Sequence, residues 1–389
     1  MARRIAERND LKLLELLEHL KAFLRPEIPD ERNAAVLYTQ ALDVLGSCAH
    51  KGPEKGAYDA ILWSNQAPSP EDLNTLTHFF EKHSEALDKG YQLLRDAAKR
   101  PECLFPSQAD GAVAAGRGDM LKMATTCEVL RVRAIVQAHS GDARGASDTL
   151  ASAMALARAV RTDPSLASEM IARSMEKMTA DVLQQLPHLS TVALAGQLQD
   201  IEPEYVRRTN QHALLGAVHE LVSTYLTAQN KLPSADPDKV GFNFGLPEAP
   251  TADDMKAFVD CTADIFPLLM RPYWEVRIET KALIDKYRLL PDEYVPYTRF
   301  ILSGGWDRIG RSTAEAEARG IMLRMAVELE RYRERKGAYP PALEALQGAL
   351  WKDPFSGQSF VYQLQGAGFS LQTSGHPPGE QPVTWQAPQ

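Results

Sequence analysis

The sequence predicts a mainly α protein: an irregular helical-hairpin (TPR-like) bundle with a small C-terminal α+β unit ending in a β-hairpin. Three observations predict it. Apolar residues recur at helical spacing from residue 9 to about 340. Several breaks between these runs are short (SGDARG, RTDPS, PHLS, IEPE), the length that joins antiparallel helices. The chain then changes period at KDPFSGQSFVYQLQGAGFSL, residues 352–371, where alternation typical of strands replaces the helical pattern.

The elements follow in order. Leu11, Leu14, Leu17, Phe23 and Leu24 share one face of a first helix. Glu15, Glu18, His19 and Lys21 interrupt its apolar run, so it reads as an amphipathic helix packed on the body and not as a signal peptide. Asp30 precedes a second helix bearing Ala34, Ala35, Leu37, Ala41 and Leu45. A surface loop is expected near 50–70. It ends at Ser69, a natural N-cap, followed by Pro70, Glu71 and Asp72, which suit the positive start of a helix running to about Lys99.

A second loop covers 101–118. Helices are expected over 119–140, 143–161, 164–186, 190–200 and 203–229. The hairpin joint around residue 141 has Ala138, Gly141, Asp142, Ala143 and Ala146, small residues that let two helices approach as in tetratricopeptide repeats; no second copy follows at that period. A third loop at 230–252 is rich in proline and glycine. Helices over 252–289, 291–303 and 311–336 complete the set. The α-helical body is assigned to 1–304 and the C-terminal unit to 305–389.

Composition narrows the function. The 389 residues carry a formal net charge of −8 and no basic run, so nothing provides the cationic footprint that nucleic acid requires. No stretch approaches the eighteen or so apolar residues of a membrane span. Cys48, Cys103, Cys127 and Cys261 stand far apart, without a C-x-x-C pair. They read as buried free thiols, or as two disulfides in an oxidising compartment.

Catalytic signatures are lacking. There is no H-E-x-x-H, no G-x-S-x-G and no glycine-rich phosphate loop between a strand and a helix. No cofactor or metal is therefore expected. His212 and His219 share a helical face, with Glu220 adjacent in sequence, and His78 and His83 flank Glu81 on different faces; both sets read as structural or solvated. Asp253 with Asp254, and Glu315 with Glu317, read as helix starts or solvated faces. Met170, Met175 and Met178 read as core filler.

Residues 271–308 concentrate aromatic rings and arginines, the usual anchors of binding surfaces. Tyr273, Trp274, Arg277, Tyr287, Tyr294 and Tyr297 are the candidates. Two readings compete: a surface for a protein or peptide, or an internal joint between the helical body and the C-terminal unit.

In that unit, Gly337 can cap the long helix, and Tyr339 and Pro340 redirect the chain. Leu343, Leu346 and Leu350 suit a short helix. Asp353, Pro354 and Gly357 suit a turn. Phe360 and Tyr362, then Phe369 and Leu371, alternate along two strands that pair through Gln365-Gly366-Ala367-Gly368 and bury their rings on the helix. With Phe355, Ser374 and Gly375, this pattern resembles the C-terminal globular part of type II secretion pseudopilins. Two departures mark it as a borrowed fold unit. The chain lacks their N-terminal apolar fibre-forming helix, and His376, Pro377 and Pro378 stand where those proteins carry acidic residues suited to calcium.

The remainder, through NAAVLYTQAL (33–42), RPECLFP (100–106), RAIVQAHSGDARGA (133–146) and TDPSLASEMI (162–171), resembles bacterial proteins, many of them exported, that join a helical body to such an ending. The resemblance implies an architecture and an extracytoplasmic setting if a leader precedes this chain, and it implies no activity. The expectation is a non-enzymatic scaffold or protein- or peptide-binding module. Two alternatives stand beside it: an enzyme whose site assembles from dispersed residues, and an envelope component related to secretion or pilus-like systems.

Overall fold

A computed structural model describes residues 2–47, 54–63, 68–106, 117–186, 203–229, 250–289, 307–346, 351–376 and 381–387. These form twelve α-helices and a small three-stranded sheet near the C-terminus, the mainly α class with a small C-terminal α+β unit that the sequence predicts. No described helix is long and apolar enough to cross a membrane. The expected helices at 190–200 and 291–303, and nearly all of the 230–252 loop, lie outside the described residues.

Helix α1 (Ala2–Leu24) buries Leu17, Leu20 and Leu24. Phe23 departs from the expected apolar face: it is 59% exposed, its ring edge set against His212. Helix α2 (Ala34–Ser47) buries Ala34, Ala35, Ala41 and Leu45. The predicted 50–70 loop contains a helix, α3 (Glu54–Trp63), because Tyr58 and Ile61 give EKGAYDAILW an apolar face to bury. Ser69 caps α4 (Pro70–Lys82) as expected, accepting from the Asp72 amide at 3.1 Å. The helix does not run on to Lys99. The backbone leaves helical geometry at His83 (φ −105°, ψ 16°), and α5 (Ser84–Ala97) starts afresh.

Helices α6 (Arg117–His139), α7 (Ala143–Arg161) and α8 (Leu166–Gln185) form consecutive hairpins. Asp142 caps α7 and Ser165 caps α8, each accepting from an amide three residues on. Helix α9 (Pro203–Ala228) crosses the α7–α8 turn at Gly216, where a Cβ would stand 1.7 Å from the Pro164 carbonyl oxygen. Only glycine permits this approach.

The single helix expected over 252–289 is divided into α10 (Ala252–Ile265), a 3-10 turn (Phe266–Met270) and α11 (Tyr273–Arg288). Pro267 and Pro272 explain the division, since neither can donate to a continuing helix. Asp253 and Asp254 lie in the first turn of α10, beside the Thr251 cap, as read from the sequence. Helix α12 (Asp307–Lys336) is the longest among the described residues, and the Gly337 amide closes it on the Arg333 carbonyl at 2.7 Å.

The predicted helix through Leu343, Leu346 and Leu350 is only a 3-10 turn, Leu343–Ala345, with 347–350 outside the described residues. Strands β1 (Val361–Gln365) and β2 (Gly368–Gln372) pair antiparallel with Tyr362 opposite Leu371 and Leu364 opposite Phe369. Gly366, at φ +59°, sits in the connecting turn. A third strand, β3 (Thr384–Gln386), was not expected; it places Trp385 opposite Leu371. Phe360, Phe369, Leu371 and Trp385 are buried, and Tyr362 is partly so. The Tyr339 ring stands edge-on to Phe369 at 5.0 Å.

Two apolar clusters result. The larger runs from α2 through α8 to α12 and the sheet; the smaller joins α1, α9, α10 and α11. The C-terminal unit thus shares its core with the α6–α8 hairpins.

Candidate functional site

Where α8 approaches α12, a cleft of about 300 Å³ opens between them. One face of α8 supplies Arg173, Ser174, Glu176, Lys177 and Ala180. One face of α12 supplies Ser312, Glu315, Ala316, Arg319, Gly320 and Leu323, the three- and four-residue steps of a helical stripe. Met154 of α7 and Val206 of α9 add apolar lining. At 1.5 Å per residue, the α12 wall is about 16 Å long.

Beneath the cleft lies an ionic network. Arg161, whose side chain is wholly buried, donates to Glu169 Oε1 at 2.8 Å and to Glu176 Oε2. Arg173 donates to the same Glu169 oxygen at 2.7 Å, to the Asn210 and Ser312 side chains, and to Thr313 Oγ1 at 3.2 Å. The network therefore ties α7, α8, α9 and α12 together. Burial pushes the Glu176 carboxyl above the ordinary range, although Arg161, Arg158 and Arg173 pull it down. A buried pair of this kind loses about 3–5 kcal/mol when one partner is removed, because the other charge is stranded.

Glu317 departs from the expectation of a helix start or solvated face. It is buried, not solvated, and Arg207 grips it with two bonds of 2.9 Å. Burial raises its carboxyl despite that guanidinium. Glu315 remains partly exposed and accepts from Arg311 Nε at 3.1 Å.

Ser174 and Lys177 form an S-x-x-K spacing, a pattern found in acyl-transfer enzymes. Here both are exposed, and the Lys177 ammonium is held by Asp181 Oδ2 at 2.6 Å, so the lysine serves an ion pair one turn along the helix.

The histidines lie elsewhere. His219 is buried on α9, and its Nδ1 has no hydrogen-bond partner among the described residues. Burial, aided by Lys21, lowers it to about 4, so the ring is neutral at neutral pH. His212 is exposed, and burial of its flank with the nearby Arg208 charge lowers it as well. His78 is exposed, and His83 packs on the Phe79 ring at 4.8 Å. Cys103, Cys127 and Cys261 are free thiols that burial pushes up to about 12, 11 and 12. Cys48 lies outside the described residues. No three His, Cys, Asp or Glu side chains come together as a metal site among the described residues.

The aromatic segment is divided between two surroundings. The Tyr273 ring meets Phe355 edge-on at 5.7 Å. The Trp274 amide donates to the Pro354 carbonyl at 3.2 Å, and its indole lies against Gly357, where a Cβ would come within 2.9 Å of Nε1. These two residues therefore seat α11 on the Asp353–Gly357 turn. That turn is fastened by the buried Asp353 carboxylate, which accepts from Phe355 N, Ser356 Oγ, Ser374 Oγ and Gly375 N at 2.8–3.0 Å. Tyr287 is buried in the smaller cluster and donates to Asp264 Oδ2 at 2.8 Å. Arg277 is exposed beside Ile278, which is 77% exposed. Tyr294 and Tyr297 lie outside the described residues.

Sequence reading missed the cleft. Its residues come from four helices, and only Met154, Ala180, Val206, Ala316, Gly320 and Leu323 lack a polar side chain, so no local motif announces it. Met170, read as core filler, is 71% exposed, while Met175 is buried and Met178 packs against the core. Comparison with protein-family models, curated proteins and solved structures gave no match.

Proposed function

We propose that the chain is a non-enzymatic binding module whose α8–α12 cleft receives a segment of a partner protein. The observation that carries this reading is the cleft itself: charged and polar side chains stand among apolar ones such as Met154, Val206 and Leu323, between two helices fixed by a buried ionic network. Apolar lining supplies affinity and polar groups supply selectivity. The volume is at the small end of the roughly 300–1,000 Å³ that encloses drug-sized ligands, so it suits one or two side chains of a segment lying along the helices. The network holds the walls before binding, which lowers the ordering cost of association.

The test is a displayed library of random ten-residue peptides selected on the native chain and on Ala316→Trp, which fills the cleft from its α12 wall. Circular dichroism and the thermal midpoint establish that the variant is folded. Peptides that bind the native chain and lose binding to the variant support the reading. Selection that yields no peptide sensitive to Ala316→Trp overturns it.

A further inference from the structure

Arg319 is the under-used cation of the cleft. Its guanidinium is about one-third exposed, and among the described residues its one ion pair runs from Nη1 to Glu315 Oε2 at 3.7 Å, beyond hydrogen-bond distance. Glu315 is already engaged by Arg311 through its other oxygen. Arginine presents five donors in a planar fork that matches a carboxylate with two parallel bonds. That fork is available on the α12 wall.

Lys177 stands on the α8 wall of the same cleft, half exposed, with Asp181 as its ion-pair partner. An ammonium has three donors, so one bond to Asp181 leaves others for a ligand. Arg173 differs, because its donors are committed to Glu169, Asn210, Ser312 and Thr313. Opposing these three cations are the lining carboxylates Glu176 and Glu315. Glu176 is held in the network by Arg161. Asp181 and Glu169 balance Lys177 and Arg173, which leaves Arg319, whose distant Glu315 is shared with Arg311, as the cleft cation short of a carboxylate among the described residues.

Resting on the reading that the cleft binds a peptide, we infer that its occupant is an acidic segment, with an Asp or Glu carboxylate seated in the fork of Arg319 and Lys177 facing it from α8. Ala316 and Gly320, on the same stripe of α12 as Arg319, leave room beside the guanidinium for the incoming side chain. A basic segment would place its charge against Arg319 and Lys177 and is disfavoured.

The peptides selected on the native chain and lost on Ala316→Trp provide the test. The inference expects them to be enriched in Asp and Glu, and selection on Arg319→Gln to lose that enrichment. For the tightest peptide, changing its central carboxylate to the amide should weaken binding roughly tenfold, and Arg319→Gln should weaken it similarly. The two changes together should cost little more than either alone, since they remove the same contact. Arg319→Lys, which keeps the charge and loses the fork, should recover part of the affinity. Cleft-dependent peptides without acidic enrichment, or additive losses in the double change, would overturn the acidic occupant while leaving a peptide-binding cleft in place. If no peptide depends on the cleft, both readings fall.

Discussion

Replacing Glu220 by glutamine should change how stability depends on pH. Glu220 lies on α9, one turn beyond Gly216, where the helix meets the α7–α8 turn. Burial, and then the negative charge of the buried Asp163, push its carboxyl up to about 7 from an ordinary value of 4.5. In the unfolded chain the proton leaves first, so between those two pH values the native state holds more protons. Stability from this group is therefore present below about pH 4.5 and is lost as pH rises toward 7. At 1.36 kcal/mol per pH unit, the loss is about 3 kcal/mol.

Glutamine does not titrate, so the variant lacks that decline. Urea midpoints followed by far-UV circular dichroism, taken from about pH 4.5 to 8, measure it as the difference between the two proteins, in which other titrating groups cancel. The variant should gain about 3 kcal/mol on the native chain across that range. Parallel pH profiles for the two proteins would refute the placement of Glu220 in a desolvated site beside Asp163. The adjacent His219 predicts the opposite limb. Its proton affinity falls from 6.5 to about 4 on folding, so its contribution is lost as pH drops through that window.

Two further predictions concern packing. Gly216→Ala should destabilise by about 1–3 kcal/mol or more, because its Cβ would meet the Pro164 carbonyl and both sides of the clash are backbone. Gly46→Ala, with nothing within 4 Å, should be neutral or stabilising by up to about 1 kcal/mol; equal thermal midpoints for the two variants would contradict the close approach. In a Cys48→Ala chain, the three remaining thiols should resist iodoacetamide at about pH 8 and react once urea unfolds the protein. Labelling of the native chain at the rate of an exposed thiol would refute their desolvation.

Particular elements show how far the sequence could be read. Ser69-Pro70-Glu71-Asp72 specified a helix start because a cap and its first turn are made within four residues. Pro267 and Pro272 divided a helix whose apolar pattern continues through them. Their missing amide hydrogens decided the outcome. The segment Glu54–Trp63 was hidden by flanking glycines and prolines, since ten residues offer only two or three turns of pattern. Likewise Tyr273 and Trp274 were legible as large apolar anchors, but their seat, the Asp353–Gly357 turn, lies some eighty residues away in sequence.

The sequence by itself determined the mainly helical class, the Ser69 cap, the change of period at the C-terminus and the burial of the hairpin rings. Those features depend on contacts within a turn or on the spacing of apolar side chains along one element. Tertiary structure alone decided that Glu317 is a buried partner of Arg207, that Arg173 reaches Ser312, and that Arg319 lines a cleft with its one ion pair among the described residues at 3.7 Å. Arg207 and Glu317 are 110 residues apart, and Arg173 and Ser312 139. A charged side chain on a helix looks the same in sequence whether it meets water or a partner, because its surroundings are set by which helix packs beside it.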